Sequence, residues 1–173
     1  MKKELRVVPD TTIFGFLLNE KNISEILIKI KEDKYFKVVG LNIVRQEIKK
    51  VKKWKLKETK SKILNIYESM IDTEKNINSK VNSLAKKYYS KYLDLGGKKD
   101  FEDLKTDLEI VAYASIHNID IIISGDRETH NTTHPKGAIF QTAYSEVNAT
   151  DTNFRTPNFW KYYLLKQRYG FFN

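Results

Sequence analysis

One short stretch organises the predicted fold: Arg6-Val7-Val8-Pro9-Asp10-Thr11-Thr12-Ile13-Phe14. Its first half is almost continuously apolar, which is typical of a strand buried on both faces of a parallel sheet. The run ends in the carboxylate of Asp10 and two hydroxyls, and an apolar, helix-like segment follows. Strands of α/β folds deliver charged groups to a ligand crevice at their carboxyl edge, but an Asp there is also a common helix cap. The functional interpretation therefore depends on whether later acids reach the same edge.

Helical and strand patterns alternate along the rest of the chain. Apolar residues spaced by three and four predict helices at 13–30, with a break near 19–22, and again from residue 42. Short apolar runs predict strands at 35–40, 120–124 and 138–140, and two further helices are predicted to begin at Thr106-Asp107 and at Thr156-Pro157. This alternation predicts an α/β fold with a mainly parallel central sheet and helices on both faces.

The length of 173 residues suits one domain. We predict a single domain over 1–173, with a helical arm or insertion at about 54–100 that Gly96-Gly97 ends. No apolar run approaches the roughly 20 residues of a membrane span, no signal peptide is recognised at the N-terminus, and cysteine is absent. These features predict a cytoplasmic protein without disulfides or thiolate metal sites.

The charge balance favours an anionic partner. The chain has 31 basic and 22 acidic residues, a net charge of +9 and an isoelectric point near 9.5, which makes nucleic acid the first candidate. Lysines crowd residues 49–62 around Trp54. A solvated helix face explains such a run, whereas lysine interleaved with an aromatic residue is also typical of single-strand binding. The candidate nucleic-acid-binding residues are Lys50, Lys53, Trp54, Lys57 and Arg127.

Four acids could share one place. Asp10 and Asp126 follow predicted strands, Asp107 is expected at the start of a helix, and Glu47 lies beside the apolar stripe of its helix. Such carboxylates repel one another unless they share cations, and oxygen ligands suit Mg²⁺ or Mn²⁺. Each acid alone is explained as a cap, a turn residue or one half of an ion pair, but the set predicts a metal site able to clamp a phosphodiester.

His130 and His134 form a weaker candidate. The two histidines could share a metal ion if they lay on one helix. The sequence Asn131-Thr132-Thr133 between them and Pro135 after them predict a loop instead.

Short motifs resemble those of PIN-domain nucleases. The segment from Val7 to Thr12 looks like the opening motif of that family, and Val44-Arg45-Gln46-Glu47-Ile48 resembles its second acidic motif. The third and fourth motifs are similar to Asp107-Leu108-Glu109-Ile110-Val111-Ala112-Tyr113-Ala114 and Ile122-Ile123-Ser124-Gly125-Asp126-Arg127. Thr156-Pro157-Asn158-Phe159 resembles a frequent terminal motif, so the resemblance spans residues 5 to 160.

The resemblance implies a three-layer α/β/α sandwich and a divalent-metal-dependent ribonuclease, often the toxin of a VapC-type toxin–antitoxin pair. The metal-binding acids it implies are Asp10, Glu47, Asp107 and Asp126, with Thr12 and Ser124 as supporting polar residues. Thr12 departs from the usual Asn or Ser, and the segment 54–100 is longer than in compact VapC toxins.

The first hypothesis is thus an endoribonuclease with RNA as substrate, a possible antitoxin partner and a possible homodimer. An alternative is a non-catalytic RNA-binding or interaction module that kept the fold. A third is a structure-specific DNA nuclease, for which Glu109 or Asp103 would be additional acids in the cleft.

Overall fold

Five parallel strands form the centre of the molecule. The computed structural model describes residues 3–51, 57–126, 129–130 and 135–171. The sheet order is β3-β2-β1-β4-β5, and all four pairings are parallel. The strands are β1 (Leu5–Pro9), β2 (Phe36–Leu41), β3 (Thr73–Lys75), β4 (Ile121–Ser124) and β5 (Asn158–Lys161). The predicted α/β class with a mainly parallel sheet is confirmed, and the stretch beginning at Arg6 supplies the central strand.

Helices connect and cover these strands, giving the three-layer α/β/α arrangement that was expected. They are α1 (Thr11–Leu18), α2 (Ile23–Glu32), α3 (Asn42–Lys50), α4 (Lys57–Met70), α5 (Ser79–Asp94), α6 (Phe101–Ile116), α7 (Pro135–Val147) and α8 (Tyr162–Arg168), with a π-helical turn at Asn148–Thr152. The predicted break between the first two helices is confirmed. Among the helices of the described ranges, none is long and apolar enough to cross a membrane.

The register of β1 with β4 aligns the ends of the two strands. Val8 pairs with Ile122 and Pro9 with Ile123, and the Asp10 backbone N–H donates to the Ile123 carbonyl at 3.0 Å. Val8 and Ile122 are fully buried, as expected for strands covered on both faces. Asp10 and the residues after Ser124 therefore leave the sheet side by side at its carboxyl edge.

The segment predicted as a helical arm is largely helical and packs on the body. It comprises α4, the short exposed strand β3, which the sequence did not predict, and α5. Tyr67 of α4 and Tyr88 of α5 are fully buried; α4 packs against α1 and α3, while α5 packs against α6 and α7. Whether this segment is an insertion stays a prediction.

Three predictions about individual helices and strands are wrong. Residues 138–140 lie inside α7, and Thr156-Pro157 precedes the strand β5 instead of opening a helix. Pairing of β5 with β4 gives Phe159 and its neighbours a partner that local sequence does not reveal, which overrides helix propensity. Helix α6 begins at Phe101, so Asp107 lies in its second turn and is not a cap.

Candidate functional site

Asp10 lies at the centre of the carboxyl edge, held by the two residues predicted to support it. Its side chain is buried, with 3% of the residue exposed. The Oδ1 atom accepts hydrogen bonds from the Thr12 backbone N–H at 2.9 Å and from the Thr12 hydroxyl. The Oδ2 atom accepts a hydrogen bond from the Ser124 hydroxyl. Thr12 and Ser124 therefore orient the Asp10 carboxylate, and the Thr12 hydroxyl also accepts from the Gly125 N–H at 2.7 Å.

Thr129 joins two other predicted acids. Its Oγ1 atom lies 2.8 Å from Asp107 Oδ2 and 2.6 Å from Asp126 Oδ2. Its backbone N–H donates to the same Asp126 oxygen at 2.6 Å. Because a hydroxyl carries one hydrogen, it donates to one of the two carboxylates at a time. Asp107 of α6 and Asp126, which follows β4, are thus both hydrogen-bonding neighbours of one hydroxyl.

Charges and burial act together on Asp107. Burial raises the pKa of this carboxyl, and the charges of Asp10 and Asp126 raise it further. The charge of His130 and the hydrogen bond from Thr129 lower it, and the result is a pKa of about 6. The mutual effect places these three acids in one electrostatic neighbourhood.

Glu47 reaches the same neighbourhood from α3. The Thr11 hydroxyl donates a hydrogen bond to its Oε2 atom. Burial is the largest cause of a raised pKa for Glu47, and the Asp10 charge adds to it. The Thr11 hydrogen bond and the charges of His130 and Lys50 act in the opposite direction. All four predicted acids are therefore close enough to influence one another, directly or through His130.

His130 is a site residue that the sequence did not place here. Its Nδ1 atom lies 3.3 Å from Asp10 Oδ2 and its Nε2 atom 3.3 Å from the Asp107 backbone carbonyl. The ring is buried and stacks on Phe159 with centroids 5.8 Å apart. Burial alone lowers the pKa of His130, but the hydrogen bond to Asp10 and the charges of Asp107, Asp10 and Asp126 raise it to about 9. An imidazolium therefore offsets the acids.

The sequence pattern makes His130 a candidate only as a partner of His134, which lies outside the described residues. The contact with Asp10 joins positions 120 residues apart, and no local spacing encodes it. The Thr129 contacts with the two acids span only 3 and 22 residues, but no motif in the sequence marks this threonine.

The donor set fits a hard divalent cation in its chemistry. All four acids offer carboxylate oxygens, the ligands that Mg²⁺ and Mn²⁺ prefer. Their spacing, however, does not form a ready ligand set. Within the described ranges, no three His, Cys, Asp or Glu side chains are grouped so that they could hold one ion. The metal ligand set and the choice of Mg²⁺ or Mn²⁺ stay predictions.

Of the predicted nucleic-acid-binding residues, Lys50 is the one whose side chain the structure describes. It is exposed in the last turn of α3 and lines an open cleft beside Glu47. Lys53, Trp54 and Arg127 lie outside the described residues, as does the side chain of Lys57. The role of all five residues stays a prediction.

Comparisons with known proteins show similarity of fold. No protein-family model matches the chain, and no curated protein matches it. A solved structure similar to it is that of VapBC2 from Rickettsia felis bound to a DNA fragment from its promoter. The identity is 16%, the alignment covers 70% of this chain and 88% of that chain, and the TM-score is 0.50. At this identity the likeness concerns the fold alone.

Proposed function

We propose that the protein is a divalent-metal-dependent endoribonuclease. The observation that carries the proposal is the convergence of Asp10, Glu47, Asp107 and Asp126 at one edge of the sheet, around the buried cation His130. Protein groups alone leave Asp107 with a raised pKa, so additional positive charge would be favourable there. The likeness of fold to a VapBC2 chain supports the same conclusion as the motif resemblance to PIN-domain nucleases.

In the proposed mechanism, each residue of the candidate site has a task. Asp10, Glu47, Asp107 and Asp126 would hold Mg²⁺ or Mn²⁺, which when bound supplies Lewis acidity and a water of lowered pKa. Thr12 and Ser124 keep the Asp10 carboxylate oriented, and Thr129 does the same for Asp107 and Asp126.

Glu47, which lines the open cleft, would orient the attacking water and accept its proton. The water oxygen bonds to phosphorus and the bond from phosphorus to the 3′ oxygen breaks. That oxygen takes up a proton from solvent water and Glu47 returns its proton to solvent, which leaves 5′-phosphate and 3′-hydroxyl ends. Lys50, exposed near Glu47, guides the phosphate backbone by charge.

The substitution Asp10→Asn tests the proposal. Asparagine keeps an oxygen acceptor for the Thr12 N–H but removes the charge, so we expect cleavage of single-stranded RNA in Mn²⁺ to fall at least about 100-fold. Because the substitution also removes a partner of the His130 imidazolium, the thermal unfolding midpoint should fall, and cleavage is therefore compared well below that midpoint. Asp103→Asn, which alters an exposed acid of α6, is the matched control and should cleave normally. Full cleavage by a well-folded Asp10→Asn protein would refute the proposal.

A second candidate is a non-catalytic RNA-binding or interaction module. The observation that favours it is that both Asp10 oxygens already accept hydrogen bonds from protein groups, together with the absence of a three-ligand group among the described residues. Manganese titration in the presence of labelled RNA separates the two functions. A nuclease binds the ion and cleaves, whereas a binding module shifts the RNA without cutting it.

The DNA-nuclease alternative concerns two further acids. Glu109 lines the cleft beside Glu47, while Asp103 is exposed in the first turn of α6. Comparing cleavage of single-stranded RNA with cleavage of branched DNA by the same preparation tests this alternative. Faster cleavage of the branched DNA would favour it over the ribonuclease.

We also propose a biological role as the toxin of a toxin–antitoxin pair, with a small antitoxin protein as partner. The support is the VapBC2 complex among the similar solved structures. A small antitoxin gene beside the gene for this chain, whose product co-purifies with it, would support the role. Co-expression without co-purification would contradict it.

A further inference from the structure

An open cleft lies beside the candidate catalytic acids. It has a volume of about 600 Å³ and is bounded by residues of α3, α5 and α6. Cavities of about 300–1,000 Å³ hold small-molecule ligands, so this cleft has room for a group of nucleotide size. Because Glu47 lines the cleft and is also influenced by Asp10, a ligand in the cleft would adjoin the carboxylate site.

Glu109 is a buried acid that lines this cleft. Only 5% of the residue is exposed, and it makes no hydrogen bond or ion pair with any residue that the structure describes. Its carboxylate oxygens are not among the buried side-chain atoms that lack a hydrogen-bond partner, so they reach the cleft that Glu109 lines. A ligand that brings two N–H groups can therefore donate to both oxygens.

The rim of the cleft adds amide and cationic groups. Gln46 and Asn82 contribute exposed side-chain amides, and Lys50 and Lys105 contribute exposed ammonium groups. An amide donates and accepts hydrogen bonds, and lysine attracts phosphate. The cleft thus combines a double acceptor in its wall, amide donors and two lysines, with the exposed carboxylate of Glu102 also on its lining.

Guanine matches this set of groups. Its Watson–Crick edge presents two adjacent N–H donors, at N1 and N2, beside the O6 acceptor. Adenine, cytosine and uracil each place an acceptor where a carboxylate would need a second donor. Splayed bases of single-stranded RNA are read through hydrogen bonds at such edges.

We propose that this cleft binds a guanine base of the RNA, with Glu109 accepting from N1–H and N2–H and Gln46 donating to O6. The proposal deepens the function proposed above and rests on RNA being the ligand. The guanine would lie beside the phosphodiester that faces Glu47, so the cleft sets the sequence preference of cleavage.

The test measures binding in the Asp10→Asn background, so that no cleavage is needed. The probes are short labelled uridine oligoribonucleotides with one central guanosine, adenosine or inosine. Their binding to the protein is measured by fluorescence anisotropy. We expect the guanosine probe to bind about tenfold more tightly than the adenosine probe, since a two-bond base contact discriminates by that order. Inosine lacks the N2 amino group and should lose part of this preference.

Glu109→Gln replaces one acceptor oxygen by an amide and should abolish the preference for guanosine. Asp103→Asn, which removes an acid of the same helix outside the cleft, is the matched control and should keep it. Gln46→Ala alters an exposed residue, so it should fold normally while weakening the preference.

Equal binding of the guanosine and adenosine probes, or a folded Glu109→Gln protein with the full preference, would overturn the inference. Should Glu109→Gln fail to fold, the inosine probe and Gln46→Ala decide instead. RNA cleavage without a guanine preference would leave the nuclease standing and remove the guanine site. A guanine preference in binding, with no RNA cleavage by the wild type, would support the guanine site and remove the nuclease.

Discussion

At the scale of single residues, the candidate site balances buried charge. His130 contacts Asp10 through one ring nitrogen and the Asp107 carbonyl through the other. Three carboxylates raise its pKa, and its charge in turn lowers the pKa values of Asp107 and Glu47. Removing one partner of such a buried set leaves charge uncompensated, which is strongly destabilising. His130 is therefore expected to stabilise the metal-free protein.

The substitution His130→Gln should lower the free energy of unfolding by about 3 kcal/mol at pH 6 in EDTA. The pKa of His130 is about 9 in the folded protein, above the ordinary value of 6.5. The contribution of the imidazolium is therefore fully present below pH 6.5 and is lost as the pH rises through 9. Urea denaturation of both proteins across this range should show their difference shrinking with increasing pH.

His117→Gln provides the matched control, because His117 follows α6 far from the carboxylates and its pKa is lowered, first by burial and then by nearby cations. Mn²⁺ should raise the unfolding midpoint of His130→Gln more than that of the wild type, since an added cation replaces the lost one. A constant difference in stability from pH 6 to pH 10 would contradict the assigned charge.

At the scale of elements, α4 packs closely against the sheet where its Tyr67 hydroxyl approaches Gly40 of β2. Gly40 of β2 has no side chain, and a Cβ atom there would lie 2.5 Å from the Tyr67 hydroxyl and 2.8 Å from Ile71 Cδ1. Tyr67 is fully buried, and its hydroxyl donates to Glu74 at 2.7 Å or to the Leu41 carbonyl at 3.2 Å. The glycine therefore lets this hydroxyl approach the strand that precedes α3, the helix of Glu47.

Gly40→Ala should destabilise the protein by about 2 kcal/mol, because the methyl group overpacks a filled site. Tyr67→Phe should cost about 1 kcal/mol through the lost hydrogen bonds, but it removes the atom nearest to the new methyl group. In the double variant, the loss of stability should be smaller than the sum of the two single losses by at least about 0.5 kcal/mol. Chemical denaturation of the four proteins measures this coupling, and strict additivity would contradict the close contact.

At the scale of the whole molecule, the net charge of +9 accompanies an acidic site. Ion pairs neutralise part of the basic surface; Lys62, for example, pairs with Glu58 at 2.7 Å on α4. Lys50 is exposed beside the cleft and is available to an anionic ligand. Long-range attraction of RNA should thus depend on the total charge, while Lys50 acts at close range.

Binding of uridine oligoribonucleotides to the Asp10→Asn protein should weaken steeply with salt. For single strands, the logarithm of the affinity falls with the logarithm of the salt concentration with a slope of about −0.7 per phosphate contact. Lys50→Ala should make this slope shallower by about 0.7. Lys62→Ala removes a paired lysine and is the control that should leave the slope unchanged. An unchanged slope in Lys50→Ala would remove Lys50 from the binding surface.

Much of the fold could be predicted because its signals are local. The apolar run before Asp10 and the run 120–124 predict buried strands whatever their partners are, and four acids in motif order predict a common site. The start of α6 and the strand β5 could not be predicted in this way. The strand depends on pairing with β4, and helix ends vary with capping and packing that composition does not specify.

The alternating elements and the acids at the carboxyl edge could be predicted from local sequence, because periodicity and strand ends are properties of neighbouring residues. The contacts of Thr129 with Asp107 and Asp126, and the position of His130 between Asp10 and the Asp107 carbonyl, depend on three-dimensional packing. The register of β1 with β4 places Asp10 beside the end of β4. Thr129 and His130 follow β4 in the chain. The contact of Asp10 with His130 spans 120 residues and arises from that packing, so no spacing along the chain specifies it.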